Sequence, residues 1–268
     1  EESDNLNIFI EKFSSTPTGK RSNFKMYMDN VNVDNGQFHY TDENLENPEV
    51  IFFDNLNING DNLAIEGPEI SIEVNHLRAL EGRGLIIEDM QTDFFYSPTQ
   101  MKAENLVIRT PESYIKGSVV FDYEKGGLAD FVEKVEIVAD FDEALIATSD
   151  IHLFYDGIAD DEFIQMSTTI KGKLNDFSLI DAELTGMDRT RLVGNIDLEG
   201  IFSENQKNFQ VTGQLDNLET NYYDLVNLLP EVLGDLLPIQ LRDFGNVKIV
   251  GDVIATNTAI DADVAVSS

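Results

Sequence analysis

Apolar and polar residues alternate with a period of two along much of this chain, and residues 192–198 show the pattern most clearly. Leu192, Ile196 and Leu198 fall on one side of a predicted strand, and the residues between them fall on the other. Such alternation is typical of a β-strand with one apolar and one wet face. The sequence therefore predicts a mainly β fold.

A short core of this pattern, apolar-x-Gly-x-apolar, occurs five times, at 115–119, 170–174, 192–196, 211–215 and 249–253. In each copy the glycine falls on the apolar side of its strand. A glycine there marks a bulge, a bend or the close approach of another chain segment. Its repetition on one side predicts a sheet that curves at the same place in strand after strand. We expect an elongated, curved β-sheet groove of repeated strands, similar to a taco or a solenoid.

The same parity predicts one continuous apolar surface. Its residues are expected to be Ile115, Val119, Phe121, Ile170, Leu174, Leu192, Ile196, Leu198, Val211, Leu215, Ile249 and Val253. The pattern leaves open whether that surface is accessible or filled, because several phenylalanines could fill a closed core. These are Phe121, Phe141, Phe163, Phe177 and Phe209.

The patterns divide the chain into four regions. These are irregular strands at 1–105, regular β repeats at 106–219, short helices at 220–245 and continuing strands at 246–268. The chain starts on Glu1 and ends on an apolar strand, so we expect one elongated β-repeat segment of a longer protein.

Three local signals refine these regions. Asn35 and Gly36 form an Asn-Gly pair, which is a strong signal for a hairpin turn. A short helical turn is predicted at 128–133. Alternation resumes after it and predicts, among others, a strand that runs from Ile151 to Tyr155.

One stretch departs from the period of two and predicts helix, because its apolar residues are spaced three and four apart. They are Tyr222, Leu225, Val226, Leu229, Leu233, Leu236 and Leu237. Thr220 or Asn221 could cap the start, and Gly245 could close the end. Pro230 and Pro238 interrupt a helix, so we expect two or three short ones. They form either a plug over the apolar end of the sheet or a gate or docking face. The residues expected to do this are Leu225, Leu229, Leu233 and Leu237.

Composition narrows the classes of function. The 268 residues include 50 acidic and 18 basic side chains, for a formal charge of −32, and no cysteine. That charge excludes a nucleic-acid-binding protein and disfavours direct attraction to anionic lipid headgroups. The lack of cysteine excludes disulfides and thiolate chemistry. No run of about 18 apolar residues occurs, so the sequence predicts no membrane-spanning helix.

Enzyme motifs are missing from the sequence, including the nucleophile elbow, the P-loop and the zinc-protease motif. His39, His76 and His152 stand apart, and the acidic run at 160–162 is typical of a solvated loop. Residues 55–66 match the spacing of a calcium-binding loop, but asparagine stands first and the flanks alternate as strands. We therefore expect no enzyme, no cofactor and no designed metal site.

Three stretches carry a further signal: YTDENLENPEV at 40–50, TPESYIKG at 110–117 and NYYDLVNLLP at 221–230. They resemble the TamB family of translocation and assembly modules of Bacteroidota, within the AsmA-like group of bridge proteins. The resemblance implies a periplasmic segment, held in the inner membrane by a helix outside this segment. It also implies a long β groove whose apolar lining shields phospholipid acyl chains between the inner and outer membranes. An Omp85-type outer-membrane protein would be the partner, and outer-membrane biogenesis the role.

Two classes of function stay open at this point. In a lipid conduit, the apolar surface is open and lined for acyl chains. In a structural or interaction scaffold, the same surface is a packed core, and the segment assists outer-membrane protein assembly with the Omp85-type partner without holding lipid. An adhesin-like or sugar-binding β-solenoid is a third, weaker alternative.

Overall fold

Thirteen β-strands form one sheet in the computed structural model, which describes residues 24–41, 50–154, 158, 160–187, 189–200, 209–228, 237 and 239–267. The strands are β1 Lys25–Thr41, β2 Val50–Glu66, β3 Glu69–Glu81, β4 Ile86–Ser97, β5 Gln100–Arg109, β6 Tyr114–Asp122, β7 Glu136–Ala147, β8 Phe163–Lys173, β9 Asp176–Gly186, β10 Thr190–Glu199, β11 Gln210–Asn221, β12 Asn246–Thr256 and β13 Ile260–Ser267. Each strand pairs with its neighbours in the chain, and the sheet is open and uncrossed. The prediction of a mainly β fold is confirmed.

All the strand pairs are antiparallel, so the odd-numbered strands end along one edge of the sheet and the even-numbered strands along the other. These edges are termed here the odd end and the even end. Several connections are tight turns, including those at Gly67 and at Gly82 to Gly84. The chain therefore returns at once to the sheet, and consecutive strands become spatial neighbours.

Register shifts cross the middle of the sheet from β1 to β12, one or more in every neighbouring pair. Five residues at these shifts have the positive φ that asparagine and aspartate tolerate best: Asn35 at 52°, Asn55 at 50°, Asn62 at 55°, Asn105 at 52° and Asp181 at 49°. A bulge bends the strand that carries it and increases its twist. Bulges aligned across neighbouring strands therefore bend the sheet along one line, which is termed here the crease.

Short helices occupy three of the connections. A 3₁₀ helix at Gly127–Asp130 leads into α1, Phe131–Lys134, at the even end. Helix α2, Thr148–His152, follows β7 at the odd end. Helix α3, Tyr222–Leu228, follows β11 at the odd end, and a 3₁₀ helix at Ile239–Phe244 precedes β12. The predicted helical turn near residue 128 and the predicted helical stretch after residue 220 are both confirmed.

The start of α3 matches its predicted cap. The Oδ1 atom of Asn221 accepts hydrogen bonds from the backbone N–H groups of Tyr223 and Asp224, at 2.9 and 3.0 Å. Gly245 adopts φ +66° directly after the second 3₁₀ helix, as a closing residue does. Of the four leucines predicted to pack or gate, Leu225 in α3 and Leu237 are half-buried. Leu229 and Leu233 lie outside the described residues, as do both prolines.

Two local predictions are wrong. The Asn35-Gly36 pair makes a bulge inside the single long strand β1, not a hairpin turn. Asn35 does adopt the positive φ of 52° that a turn would need. Its N–H, however, donates to Asn57 Oδ1 of β2 at 3.0 Å, and β1 continues alongside β2. The predicted strand starting at Ile151 is helix α2 up to His152, with a turn at the next two residues. The predicted strand fragment before residue 24 lies outside the described residues.

Candidate functional site: an apolar face across the sheet

One row of apolar side chains runs along the odd end of the sheet through all thirteen strands. Directly paired residues of an antiparallel sheet lie on the same face, so the register identifies the members. This Ile115 row consists of Val33, Ile58, Leu77, Met90, Ile108, Ile115, Ala144, Met166, Leu184, Leu192, Leu218, Ile249 and Val266. Each of its members is apolar.

A second row runs along the even end of the same face, again through all thirteen strands. This Phe121 row consists of Met26, Ile65, Ile70, Tyr96, Met101, Phe121, Ile137, Gly172, Phe177, Leu198, Val211, Ala255 and Ile260. It is the more aromatic of the two rows. Among its side chains, the one polar group is the hydroxyl of Tyr96.

A third row lies between the other two and crosses β3 to β13. This Val119 row consists of Ile72, Phe94, Ala103, Val119, Ala139, Ile170, Leu179, Ile196, Gly213, Val253 and Ala262. Along β6, residues 115, 119 and 121 have the same parity, so the three rows share one face. They are termed together the apolar face.

From β3 to β12 the crease passes between the Ile115 and Val119 rows, and glycine is required at three positions along it. A side chain at Gly117, Gly194 or Gly251 would run into a backbone carbonyl of the neighbouring strand. Gly194 and Gly251 also adopt φ values of +153° and +130°, which disfavour any residue with a Cβ atom. At these three positions the repeat glycines therefore mark the close approach of a neighbouring strand, one of the features expected of them. The other two repeat glycines, Gly172 and Gly213, lie on the same face but in the Phe121 and Val119 rows.

Two buried threonines also lie at the crease, and sequence reasoning missed them. Thr92 and Thr168 are 4% and 5% exposed. Their hydroxyls donate to the carbonyl oxygens of Glu104 and Ile180, at 2.8 and 3.0 Å. Both acceptors lie beside a register shift, where ladder bonding is interrupted. The signal in the sequence is a threonine at an apolar position of the alternation.

The large side chains of the apolar face remain partly accessible. Small members are covered by larger neighbours, so Ala139 and Ala144 are 1% and 0% exposed. Phe121, Leu192 and Leu198 are only half-buried. Within the described part of the chain, the extensive strand contacts all join sequence neighbours. Twelve strand spacings and seven residues correspond to roughly 58 by 20 Å, or about 1,100 Å², whereas soluble monomers usually expose apolar patches of a few hundred Å².

On the opposite face of the sheet, neutral side chains donate hydrogen bonds to several of the carboxylates. Carboxylates accept hydrogen bonds across strands from Asn30 and Asn75 to Asp61, from Gln100 to Asp122, from Asn105 to Asp93, and from Thr169 to Asp140. The two asparagine amides hold the pKa of Asp61 below its ordinary value. Near the start of β1, the Lys25 ammonium, with help from Tyr27, likewise lowers the pKa of Glu66. Amides and hydroxyls thus support pairing where few cations are available.

Helix α1 lies against the apolar face at the even end. The ring of Phe131 meets that of Phe121 edge to face, with centroids 5.3 Å apart. Val135, directly after the helix, is completely buried. At the end of β6, the hydroxyl of Tyr123 donates to the carbonyl of Ser97 at 2.9 Å, which ties this corner to the turn between β4 and β5. The contact covers one part of the Phe121 row.

Helices α2 and α3 are each held at the odd end by the aspartate at the third position of the helix. In α2, Asp150 Oδ2 accepts from the hydroxyls of Thr110 and Ser113, both at 2.6 Å. These two residues belong to the turn between β5 and β6. The aspartate is the third residue of the helix, and the helix folds back over the turn of the preceding hairpin.

In α3, the corresponding third residue is Asp224, which is 5% exposed. Its Oδ2 accepts from the Thr190 hydroxyl at 2.8 Å and from the N–H of Arg189 at 2.9 Å, at the start of β10. The Thr190 and Thr220 hydroxyls also meet at 2.8 Å. We refer to Asp150 and Asp224 as the latch aspartates; the alternation pattern gave no indication of either.

Ten of the twelve residues predicted to line the apolar surface lie in the three rows, and Leu215 lies on the same face at the crease, where it pairs with Gly194 and Gly251. Leu174 is the exception, because β8 ends at the preceding residue and Leu174 lies in the turn that follows. Residues 55–66, which match the calcium-loop spacing, lie along strand β2, and Glu66 pairs with Lys25. Among the described residues, no cluster of histidine and carboxylates is suited to a metal ion. No described helix has the length and apolar character needed to cross a bilayer.

Comparisons of this chain with protein-family models, with curated proteins and with solved structures find no match. Its function must therefore be argued from its own residues and geometry. The feature that most needs a functional explanation is the apolar face, since its area is unusual for a surface that water can reach.

Proposed function

We propose that this segment shields the acyl chains of phospholipids on its apolar face while they move between two membranes. The observation that carries the proposal is the continuity of the three rows, two of which cross all thirteen strands without a charged residue. The rows run across the strands, along the long direction of the sheet. A hydrocarbon chain moving from β3 to β13 would therefore remain over apolar side chains at every step.

The dimensions support the same proposal. From the Ile115 row to the Phe121 row, the face is about 20 Å wide, and half of a bilayer's hydrocarbon core is about 15 Å thick. One extended acyl chain thus fits across the three rows. Covering the half-buried side chains with hydrocarbon removes apolar surface from water, which is favourable at about 25 cal/mol per Å². The crease bends the sheet, and its glycines leave room beside the larger residues.

The polar face supports a location in an aqueous compartment between membranes. Its carboxylates and amides are exposed and hydrogen-bonded to one another, so this side of the sheet needs no covering. Together with the resemblance to TamB-like bridge proteins, this favours the periplasm. An Omp85-type partner and a role in outer-membrane biogenesis belong to the same proposal.

A scaffold remains the second candidate, and a specific observation favours it. β1 and β13 are the edge strands of the described sheet. Apolar residues reach both edges, where Met28 is 42% and Val266 is 58% exposed. Edge strands of this kind pair readily with strands of another chain or segment. In a scaffold, protein rather than lipid would cover the apolar face.

Photo-crosslinking in cells distinguishes the two functions. Leu198 is half-buried in the Phe121 row, which makes it a better site than Ile196, which is 9% exposed. A photoreactive residue at Leu198 should capture phospholipid, identified by mass spectrometry of the purified adduct. The matched control is Glu199, the next residue, which is exposed on the opposite face.

Phospholipid captured at Leu198 and not at Glu199 supports the conduit. Equal capture at both positions would indicate adventitious lipid and contradict it. Protein adducts alone at Leu198, with the strand still folded, would favour the scaffold.

A further inference from the structure

A cleft of about 320 Å³ opens at the odd end of the sheet, between α3 and the 3₁₀ helix that precedes β12. Its lining includes Arg189, Tyr222, Tyr223, Arg242 and Asn246. Two arginines therefore border one small cleft in a chain that has only 18 basic residues against 50 acidic ones. This concentration of positive charge runs against the character of the rest of the molecule.

Within the part of the chain that the structure describes, neither arginine forms an ion pair. Five ion pairs join described residues, and none of them includes Arg189 or Arg242. Both side chains are exposed. Guanidinium groups present several N–H donors in a fixed plane and suit the oxygens of phosphate or carboxylate groups. An anion in the cleft would supply the partner that the described chain does not.

The carboxylate that lines this cleft is already engaged. Asp224 is buried, and its Oδ2 accepts the Arg189 N–H and the Thr190 hydroxyl. This latch aspartate fixes the backbone at Arg189. Asn221 Oδ1 is likewise occupied by the first N–H groups of α3. The groups available to meet a ligand include the side chains of Arg189 and Arg242, the exposed Tyr223 side chain, and those of Tyr222 and Asn246.

The cleft adjoins the apolar face. Thr190, Asn221 and Asn246 are the strand ends at this edge. The Ile115 row begins two or three residues further in, at Leu192, Leu218 and Ile249, a distance of about 7–10 Å. One molecule can therefore place an anionic group in the cleft and a hydrocarbon tail on the apolar face.

We propose that this cleft binds the phosphate group of an amphiphile whose tail lies on the Ile115 row. The position of the tail rests on the proposed lipid function; the phosphate site itself rests on the two arginines. The net charge of −32 repels anions at long range, so binding depends on short-range contacts with Arg189 and Arg242. The cleft is a local exception to the repulsion of anionic headgroups expected from composition.

The test compares phosphatidic acid with diacylglycerol of the same acyl chains, each presented to the purified protein in neutral detergent micelles. Phosphatidic acid should bind about tenfold more tightly, because charged hydrogen bonds to its phosphate are added. The double variant Arg189→Gln/Arg242→Gln should lose this preference while still binding both lipids. Arg191→Gln removes the same charge from an exposed residue that pairs with Glu219, outside the cleft, and should keep the preference. The single variant Arg242→Gln should also reduce the preference for phosphatidic acid. Its unfolding midpoint shows whether the protein remains folded.

Glycerol phosphate, which has no tail, separates this site from the conduit. If it binds in an arginine-dependent way while neither lipid binds, the cleft is a site for free phosphate esters and the conduit fails. If both lipids bind equally to the unmodified protein, the phosphate cleft is overturned and the conduit stands. A preference for phosphatidic acid that survives in the double variant also overturns the cleft.

Discussion

The two faces of this sheet are made by the same strands, yet they stabilise it in different ways. On the apolar face, Ala144 is buried between its larger partners Ile115 and Met166, and Leu215 is buried opposite Gly194 and Gly251. Polar groups on this face, such as the Thr168 hydroxyl, bond to backbone carbonyls. On the other face, Thr169 bonds to the exposed carboxylate of Asp140. A buried polar group that loses its partner stays without a hydrogen bond, whereas an exposed group can bond to water instead.

This difference explains how a chain with charge −32 can form so large a sheet. The carboxylates that accept hydrogen bonds across strands, such as those of Asp61, Asp122 and Asp140, lie on the opposite face, where amide and hydroxyl donors from adjacent strands separate them. The surface ion pairs, such as Lys173 with Glu136 at 3.9 Å, contribute little. Stability must therefore come mainly from the apolar face. Four predictions test that division.

The largest effect is expected from a charge placed on the apolar face. Leu215→Asp buries an unpaired carboxylate at a position that is 6% exposed and should lower the free energy of unfolding by about 3–5 kcal/mol. Gln214→Asp adds the same charge one residue away on the exposed face and should change stability by less than about 0.5 kcal/mol. Urea unfolding measures both. Equal losses would show that the faces are not distinct.

A second comparison lies within the apolar face, between the crease and the row beside it. Gly194→Ala introduces a Cβ atom at φ +153° against the carbonyl of Gln214, so it should cost about 2–3 kcal/mol. At Gly213, a Cβ atom would meet only the side-chain ends of Ile196 and Leu215, both at 3.3 Å. Gly213→Ala should therefore cost about 1 kcal/mol or less. A reversed order in thermal unfolding would contradict the role of the crease.

Adjacent threonines on opposite faces give a smaller contrast. Thr168→Val removes the buried donor to Ile180 and should cost about 1–2 kcal/mol, because the carbonyl loses its partner away from water. Thr169→Val removes a donor to Asp140 on the wet face and should cost less than about 0.5 kcal/mol. The same substitution at neighbouring positions makes denaturant midpoints directly comparable. Similar midpoints would mean that the buried hydroxyl is dispensable.

The smallest effect concerns acid and the pairing of β1 with β2. The pKa values of Asp61 and Glu66 lie below their ordinary 3.8 and 4.5, so the folded carboxylates bind protons more weakly than the unfolded ones. Their contribution is thus present above about pH 5 and is lost as the pH falls through the lowered values. Hydrogen-exchange protection of β1 should decline between about pH 5 and pH 3. The control is β13, the outermost strand on the other side of the described sheet. An equal decline in its protection would show that these two carboxylates are not the cause.

The two latches connect the sequence pattern with the tertiary structure. Thr110 and Ser113 belong to the stretch at 110–117, and Asn221 and Asp224 belong to the stretch at 221–230. In the structure these four residues hold α2 and cap or hold α3. The stretches thus serve as points where short helices attach to the odd end of the sheet.

Alternation by itself determined which side of each strand is apolar, because the period of two follows from local backbone geometry. It therefore predicted a mainly β fold, and eleven of the twelve residues that it assigned to one surface lie on the apolar side of the sheet; Leu174 does not. The cap at Asn221 was also predictable, since capping depends on residues within one turn. Only the tertiary structure decided the register that aligns Ile115, Val119 and Phe121 with partners up to 29 residues away in rows, since register depends on contacts between strands. For the same reason, Asn35 became a bulge and Asp150 fixed a helix: each bonds to a partner distant in the chain.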